Sequence, residues 1–559
     1  MQYKLQDDGL YCLSSDRWLR IGGWIQVLAR TRLTDKRHGH GALLEWQNFD
    51  GVRLREVVYA RDLNSDNARQ IRDMLVDTGY PLTPDQSSWS RLQHYLIELM
   101  ALAAPATVVN RTGWHEPIFA TSSWTVGSAD EPHYFVGQLS SSTLLEEAGS
   151  LSDWQNHVGK LCCGNPLAIF CVGTGLAAPL LAPSGMENGA FHFVGASSAG
   201  KTTLLQIAAS LYGSDSYKRS WISTSNGLAA VSSEHNDMLL TLDEIGMARP
   251  EDVDTAIYQI MNGSGKLRAN VSGELAATSQ WRTLVLSSGE VWIAELLQQI
   301  GKPLRAGQQI RLVEIPIFGI HGEFDELHGR KSAQQFVDEL KMSCQCFHGT
   351  VIREWLLLLT GLHDELSHYL SYEIGRLSNA WTSDSMASQV QRVVRRFALI
   401  GTALCLASRN FILPWSEEES LDAVHRVLRA WLANRGHSKN SEEFRLLRSL
   451  EKAMRNWERN IGEIDQDSGK GIMPGYRRLL DGCELWLINK THFLQKLELP
   501  THYMREVEIL LQRGCLVTNE RSRGTYKTRI NGEFQRFFAL KPDQVRRHLE
   551  DLERVEHDD

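Results

Sequence analysis

Over residues 1–148, apolar and polar positions alternate in short runs, WIQVLA, ALLEWQ and REVVYA, with a turn signal at Asn48-Phe49-Asp50-Gly51. One longer stretch, SRLQHYLIELMALAA, has helical period, and the mixture predicts a small α+β domain. Over 149–328 helical segments alternate with short apolar runs, FHFVG, MLLTL, TLVLS and IRLVEIP. Strands apolar on both faces and spaced by helices predict a mainly parallel sheet. Over 329–475 the helical period continues through VIREWLLLLTGLHDEL, ASQVQRVVRRFALIGTALCLA and LDAVHRVLRAWLAN, with no convincing strand. The last stretch, 476–559, reads as a helix, THYMREVEILLQRG, then strands CLVTNE, YKTRI and FQRFFAL, then a charged helix. Turn residues at Arg521-Ser522-Arg523-Gly524 and Asn531-Gly532 divide those strands.

A helix followed by a hairpin gives 476–559 the order of a winged helix. The run PLAIFCVGTGLAAPLLAP at 166–183 imitates a membrane span, but Gly173, Gly175 and Pro179 interrupt it and no basic flank orients it. A buried helix beneath the next strand is expected there, and no membrane partner.

At 559 residues the chain has room for three or four domains, and 42% hydrophobic with 23% charged residues lies in the globular range. With 59 basic against 67 acidic residues the net charge is −8, so any surface for nucleic acid must be local. From Arg505 to Arg546 there is such a reversal, nine Lys or Arg against five acids. Nine scattered cysteines form no disulfide framework, and MQYKLQDDGLYCL lacks the charged-then-apolar pattern of a signal peptide; both suit the cytoplasm. Cys344-Gln-Cys346-Phe-His348 resembles half a metal site, but no second pair lies at a usable spacing.

Residues 195–202 read Gly-Ala-Ser-Ser-Ala-Gly-Lys-Thr, a complete GxxxxGKT between an apolar strand and a helix. Such a loop curls backbone N–H groups round phosphate oxygens at a helix N-terminus. The expected ATP contacts are Gly195, Ser198, Ala199, Gly200, Lys201, Thr202 and Thr203, with Lys201 on the β- and γ-phosphates and the Thr202 hydroxyl on Mg²⁺. About 40 residues on, Met238-Leu239-Leu240-Thr241-Leu242-Asp243-Glu244 is an apolar run ending in carboxylates. Asp243 is expected at the metal and Glu244 at the attacking water. A third run, Thr283-Leu284-Val285-Leu286-Ser287-Ser288, ends in hydroxyls, either of which can help to position that water.

Further motifs stand in order: Arg111-Thr112-Gly113-Trp114-His115, Asn236-Asp237 before the acidic run, Asn262-Gly263-Ser264-Gly265-Lys266-Leu267-Arg268, Gly307-Gln308-Gln309-Ile310-Arg311-Leu312 and Arg395-Arg396-Phe397. With these the chain resembles an AAA+ ATPase. More narrowly it resembles the uncharacterised-domain family that includes the Cch-type self-loading helicases of mobile genetic elements, themselves distantly similar to MCM helicases. The resemblance spans about 110–400 and implies a homo-hexameric ring that moves on DNA. It also implies an arginine entering a neighbour's site, for which Arg311 is the first candidate and Arg305 the second. Arg395 or Arg396 is expected to bend onto the nucleotide from the same subunit. Lys266 and Arg268 are candidates for gripping DNA in the pore, although a surface loop or a contact with the neighbour's nucleotide also explains them. Arg521, Arg523 and Lys527 are expected DNA contacts on the basic wing. No primase or zinc module is recognisable at the N-terminus, which leaves a separate primase or polymerase as a partner.

The favoured reading is therefore an ATP-driven DNA helicase or translocase in replication of a mobile element. Its rival is a P-loop ATPase that remodels a protein complex in defence or regulation. A small-molecule kinase would need an acceptor pocket and a lid arginine cluster.

Overall fold

Five parallel strands form the central sheet, in the order Arg219–Ser220, Met238–Asp243, Thr283–Gly289, Gly189–Val194, Leu312–Pro316. The computed structural model describes residues 2–64, 68–136, 145–195, 200–265, 279–383, 386–435, 441–463, 474–480, 482–497, 503–519, 524–530 and 533–554. By contacts it divides into two units. One comprises Met1–Leu304, Arg311–Leu377 and Arg396–Val427, the other Arg305–Ile310, Ser378–Arg395 and Leu428–Asp559.

All six residues of Gly189–Val194 and all seven of Thr283–Gly289 are buried, which is why both read as unbroken apolar runs. Pro166–Ala177 is a wholly buried helix on this sheet, packed against the Lys201–Ser210 helix and the Thr283–Gly289 strand. Its Phe170 meets Phe191 edge-on at 5.0 Å. A side chain at Gly173 would run into Ile400 and Leu404, so the glycine that breaks the apolar run serves close helix packing. Pro166–Ser184 is long and apolar enough to cross a membrane, and most of it is buried inside the fold.

The N-terminal 148 residues carry a mixed five-stranded sheet, ordered His133–Phe135, Pro105–Val109, Ile25–Leu33, Gly41–Gln47, Arg53–Tyr59. Asp85 caps the helix Gln86–Leu102 beside it by accepting from the Ser88 amide. This region is tied to the base of the acidic strand by two of the sequence motifs. The Thr112 hydroxyl donates to Glu234 O at 2.9 Å, Asn236 Nδ2 donates to Thr112 O at 2.7 Å, and the Trp114 amide donates to Asp237 Oδ2 at 3.1 Å. Asp237 is fully buried and pairs with Arg282 at 2.9 Å, which compensates its charge. Gly113, at φ +102°, leaves no room for a side chain beside Asp237. Arg111–His115 and Asn236-Asp237 are thus two halves of one structural clamp.

Helices Thr350–Gly361, His363–Trp381, Ser388–Arg409 and Glu417–Arg435 follow the sheet, as the periodicity predicts. In the second unit a sheet runs Gly462–Glu463, Gly475–Leu480, Cys483–Asn489, Glu533–Leu540, Leu516–Val517, with Tyr526–Ile530 also pairing with Glu533–Leu540. Helix Ser441–Trp457 shares its core, Leu447 and Trp457 lying with Trp486, Phe493, Leu510 and Phe538. The first three of these strands are absent from the sequence expectation. Cys483–Asn489 has four consecutive buried residues, a run that periodicity alone does not separate from helix. The dipeptide Asp481-Gly482 marks the hairpin, and Gly482 has the positive φ of +79° that such a turn needs.

Candidate active site

The Gly189–Val194 strand ends at Gly195, whose carbonyl accepts a hydrogen bond from Lys201 Nζ at 2.9 Å. Lys201 is only 6% exposed. Gly200 begins the Lys201–Ser210 helix at φ +76°, and among the described residues no side chain caps that helix, whose N-terminus is the positive end of its dipole. Ser198 and Ala199 lie outside the described residues. The Thr203 hydroxyl is buried with no hydrogen-bond partner among the described residues, while Thr202 faces outward.

Thr202 Oγ1 donates to Asp243 Oδ1 at 3.3 Å, across the sheet from helix to acidic strand. The central position of Thr283–Gly289 in the sheet brings Ser288 to the same oxygen, and its hydroxyl donates to Asp243 Oδ1. Ser288 Oγ also accepts from the Glu244 amide at 3.2 Å. Glu244 itself has left-handed backbone, φ +57° and ψ +74°, rare for a residue with a side chain and a feature of functional sites.

Ser287 and Ser288, equivalent in sequence, have opposite fates. Ser287 Oγ is fully buried, receiving the Trp221 indole N–H at 2.8 Å and lying 2.8 Å from His192 Nδ1. Burial pushes His192 down to about 4, so it is neutral. Ser287 therefore belongs to the core and Ser288 to the site.

Glu323, in the segment after Leu312–Pro316, is a site residue the sequence reading missed. It is 4% exposed, and a Cβ on Gly200 would collide with its carboxylate. Burial pushes it up to about 7, with Lys201 and Lys341 acting the other way. The loop around it, Gly319-Ile320-His321-Gly322-Glu323, carries no familiar spacing; the signal available was a lone acid just beyond the strand next to the phosphate-loop strand.

Arg396 is a correction. Together with Arg392 and Arg395 it reads as one basic helix side, yet Arg392 and Arg395 are exposed and Arg396 is buried at 6%. Its guanidinium lies against Gly189, 5.9 Å from the Phe191 ring centroid, and donates to Asn188 O at 3.4 Å. Gly189 begins the strand whose far end leads to the phosphate loop, so Arg396 sits at the wrong end of its own sheet to reach the nucleotide. Arg311 is at that end too. It closes the short helix Ala306–Arg311, precedes Leu312, which pairs with Ala190, and lies 5.6 Å from the Tyr258 ring centroid. Arg305 is exposed, its amide donating to Gln308 Oε1 at 3.0 Å. Lys527 is exposed on the C-terminal hairpin, while Lys266, Arg268, Arg521 and Arg523 lie outside the described residues.

An uncapped helix N-terminus with a buried lysine, facing a hydroxyl and a carboxylate 3.3 Å apart, suits a polyphosphate with a hard cation. A family model described as a domain of unknown function, DUF927, matches residues 8–280. The matched residues include Lys201, Thr202, Asp243 and Glu244 and end just before the Ser288 strand. Among solved structures, one titled "SCCmec type IV Cch - active helicase" aligns over 97% of this chain and 97% of its own, at 17% identity and a TM-score of 0.69. The chain therefore shares that fold almost throughout, beyond the residues that the DUF927 model matches. The apo A form of the NrS-1 C-terminal region aligns over 92% of this chain and 96% of its own, at 10% identity and a TM-score of 0.34. None of the curated proteins matches the chain in sequence.

Proposed function

We propose that this chain is an ATP-hydrolysing helicase or translocase that acts on DNA as a homo-oligomeric ring. The observation that carries the proposal is the convergence of Thr202, Asp243, Ser288 and the Glu244 backbone at one end of the parallel sheet, beside Lys201. Likeness of fold to a protein titled an active helicase, over 97% of both chains, supports the same reading.

In this reading Lys201 and the first turn of its helix bind the β- and γ-phosphates. Thr202 and Asp243 hold Mg²⁺, which neutralises phosphate charge when bound. Ser288 fixes Asp243 and the Glu244 backbone relative to each other, and Glu244 orients and polarises the attacking water. Arg311, at the far end of its own sheet, acts in a neighbour's site, where a guanidinium fork meets charge developing on the γ-phosphate; Arg305 is the second choice. Arg395 stays the candidate for the arginine that contacts the nucleotide from the helical block.

The finer organisation belongs to the same proposal: an N-terminal α+β domain at 1–148, an AAA+ core at 149–328, a helical lid and extension at 329–475, and a winged-helix-like domain at 476–559. So do a hexameric ring, a cytoplasmic setting, DNA contacts by Lys266, Arg268, Arg521, Arg523 and Lys527, and replication of a mobile element with a separate primase or polymerase. Strand displacement on a tailed duplex, with mass in solution in the presence of a non-hydrolysable ATP analogue, tests it. ATP-dependent unwinding by a multi-subunit species is expected. Absence of unwinding from a monomer that hydrolyses ATP would favour the protein-remodelling alternative.

A further inference from the structure

An arginine that works in a neighbour's site has to be aimed before the neighbour's nucleotide arrives. Its side chain is rich in rotamers, and every rotamer that points away from the phosphate lowers the rate. Whatever restricts Arg311 therefore bears on the chemistry proposed for it.

The backbone at Arg311 is fixed by the next residue, since Leu312 is buried and pairs with Ala190 in the central sheet. Tyr258 stands on the helix Pro250–Asn262, whose Val253, Ala256, Ile257 and Ile260 share one core with Leu312 and Ala190. That shared core sets the helix against the start of the strand and brings the Arg311 guanidinium carbon to 5.6 Å from the Tyr258 ring centroid, within the range of a cation–π contact. Both residues are half-buried, so the contact lies where a second protein surface can meet it. Burial, and less strongly the like charge of Arg311, push Arg396 down to about 10, so turning inward toward Arg396 is unfavourable for Arg311. A ring face attracts a guanidinium without taking up its N–H donors, which leaves the fork geometry suited to phosphate oxygens.

We propose that Tyr258 is a positioning residue for the arginine that acts in trans, its ring restricting Arg311 to orientations that reach the neighbour's γ-phosphate. The inference rests on the reading of Arg311 given above and adds the residue that prepares it. Tyr258 acts through Arg311, and by its ring rather than its hydroxyl.

Steady-state ATPase kinetics of the full chain test this in Y258L, Y258M, Y258F, R311A and Y258L/R311A. Leu and Met fill the space without a π face, and loss of a cation–π contact corresponds to about 3- to 30-fold. Y258L and Y258M are expected to lose that factor in kcat with KM for ATP unchanged, and Y258F to keep the native turnover. Because Tyr258 acts through Arg311, Y258L/R311A is expected to be no slower than R311A. Mixing Y258L with E244Q is expected to give a rate above the sum of the two alone, since an E244Q subunit lends a well-aimed Arg311 to a site with an intact Glu244. Native turnover in Y258L and Y258M, an equal loss in Y258F, or losses that multiply in Y258L/R311A overturn the role of Tyr258 while leaving that of Arg311. Native turnover in R311A overturns both.

Discussion

The Ser288 hydroxyl donates to the Asp243 carboxylate and thereby locks the end of the central strand to the end of the acidic one. Because the same oxygen accepts the Glu244 amide, one serine sets the relative position of both acids. S288A should lower ATP turnover about 10- to 100-fold, the usual cost of losing a group that orients a metal-site carboxylate. S287A should behave differently, keeping its turnover and losing about 1 to 3 kcal/mol of stability, since its hydroxyl serves the buried Trp221 and His192. Steady-state rates beside thermal melts separate the two serines.

K201A and E244Q should split binding from chemistry. In the proposed mechanism Lys201 contacts ground-state phosphates and Glu244 acts on water, so K201A should weaken nucleotide binding and E244Q should leave it intact while abolishing turnover. Titration with a fluorescent ATP analogue and single-turnover hydrolysis give the two readouts, and an equal loss of binding in both variants would contradict these roles.

The arginines should sort by position along the strand they accompany. R311A should bind ATP almost normally and hydrolyse it roughly a thousandfold more slowly, because a guanidinium from a neighbour acts on charge that develops only in the transition state. Mixing R311A with E244Q should restore part of the rate, since some interfaces then join an intact acid to an intact arginine. R396A should instead lower the melting temperature without changing nucleotide affinity, as expected of a group buried against Gly189 and Phe191.

Glu323 should impose a pH dependence. Its folded value, about 7, exceeds its ordinary value of 4.5, so its contribution to stability is full below the ordinary value and is lost as pH rises through about 7. Above that pH the carboxylate is charged beside Gly200 and Lys201 and opposes an incoming polyphosphate. Nucleotide affinity should therefore weaken between about pH 6 and 8 more in the native chain than in E323Q, which should bind more tightly at the upper end. Calorimetric titration of both proteins at the two pH values removes the contribution of the nucleotide's own ionisation, and parallel profiles would contradict the assignment.

Much of this site is legible in the sequence because its chemistry depends on local spacing. GxxxxGKT and LLTLDE each report a strand followed by a turn, and the structure brings Thr202 and Asp243 within 3.3 Å as those motifs imply. Side-chain direction is less legible. Ser287 and Ser288 differ only in which face of a buried strand they occupy, and with apolar residues on both faces the pattern carries no inside and outside. Arg396 fails for a related reason, since helical period places it near Arg392 and Arg395 but cannot foresee that Gly189 opens a slot for a guanidinium. Glu323 reaches Gly200 through tertiary folding alone, and no spacing encodes that.

The central claim is that ATP hydrolysis here is coupled to DNA. Its most direct test is the steady-state ATPase rate of the full chain without DNA, with single-stranded DNA and with duplex DNA, using E244Q as the blank. The account predicts a rate that rises with protein concentration and is stimulated by DNA, with the stimulation falling steeply as salt is raised. A rate indifferent to both DNA forms at low salt, from a protein that still hydrolyses ATP through Glu244, would contradict it.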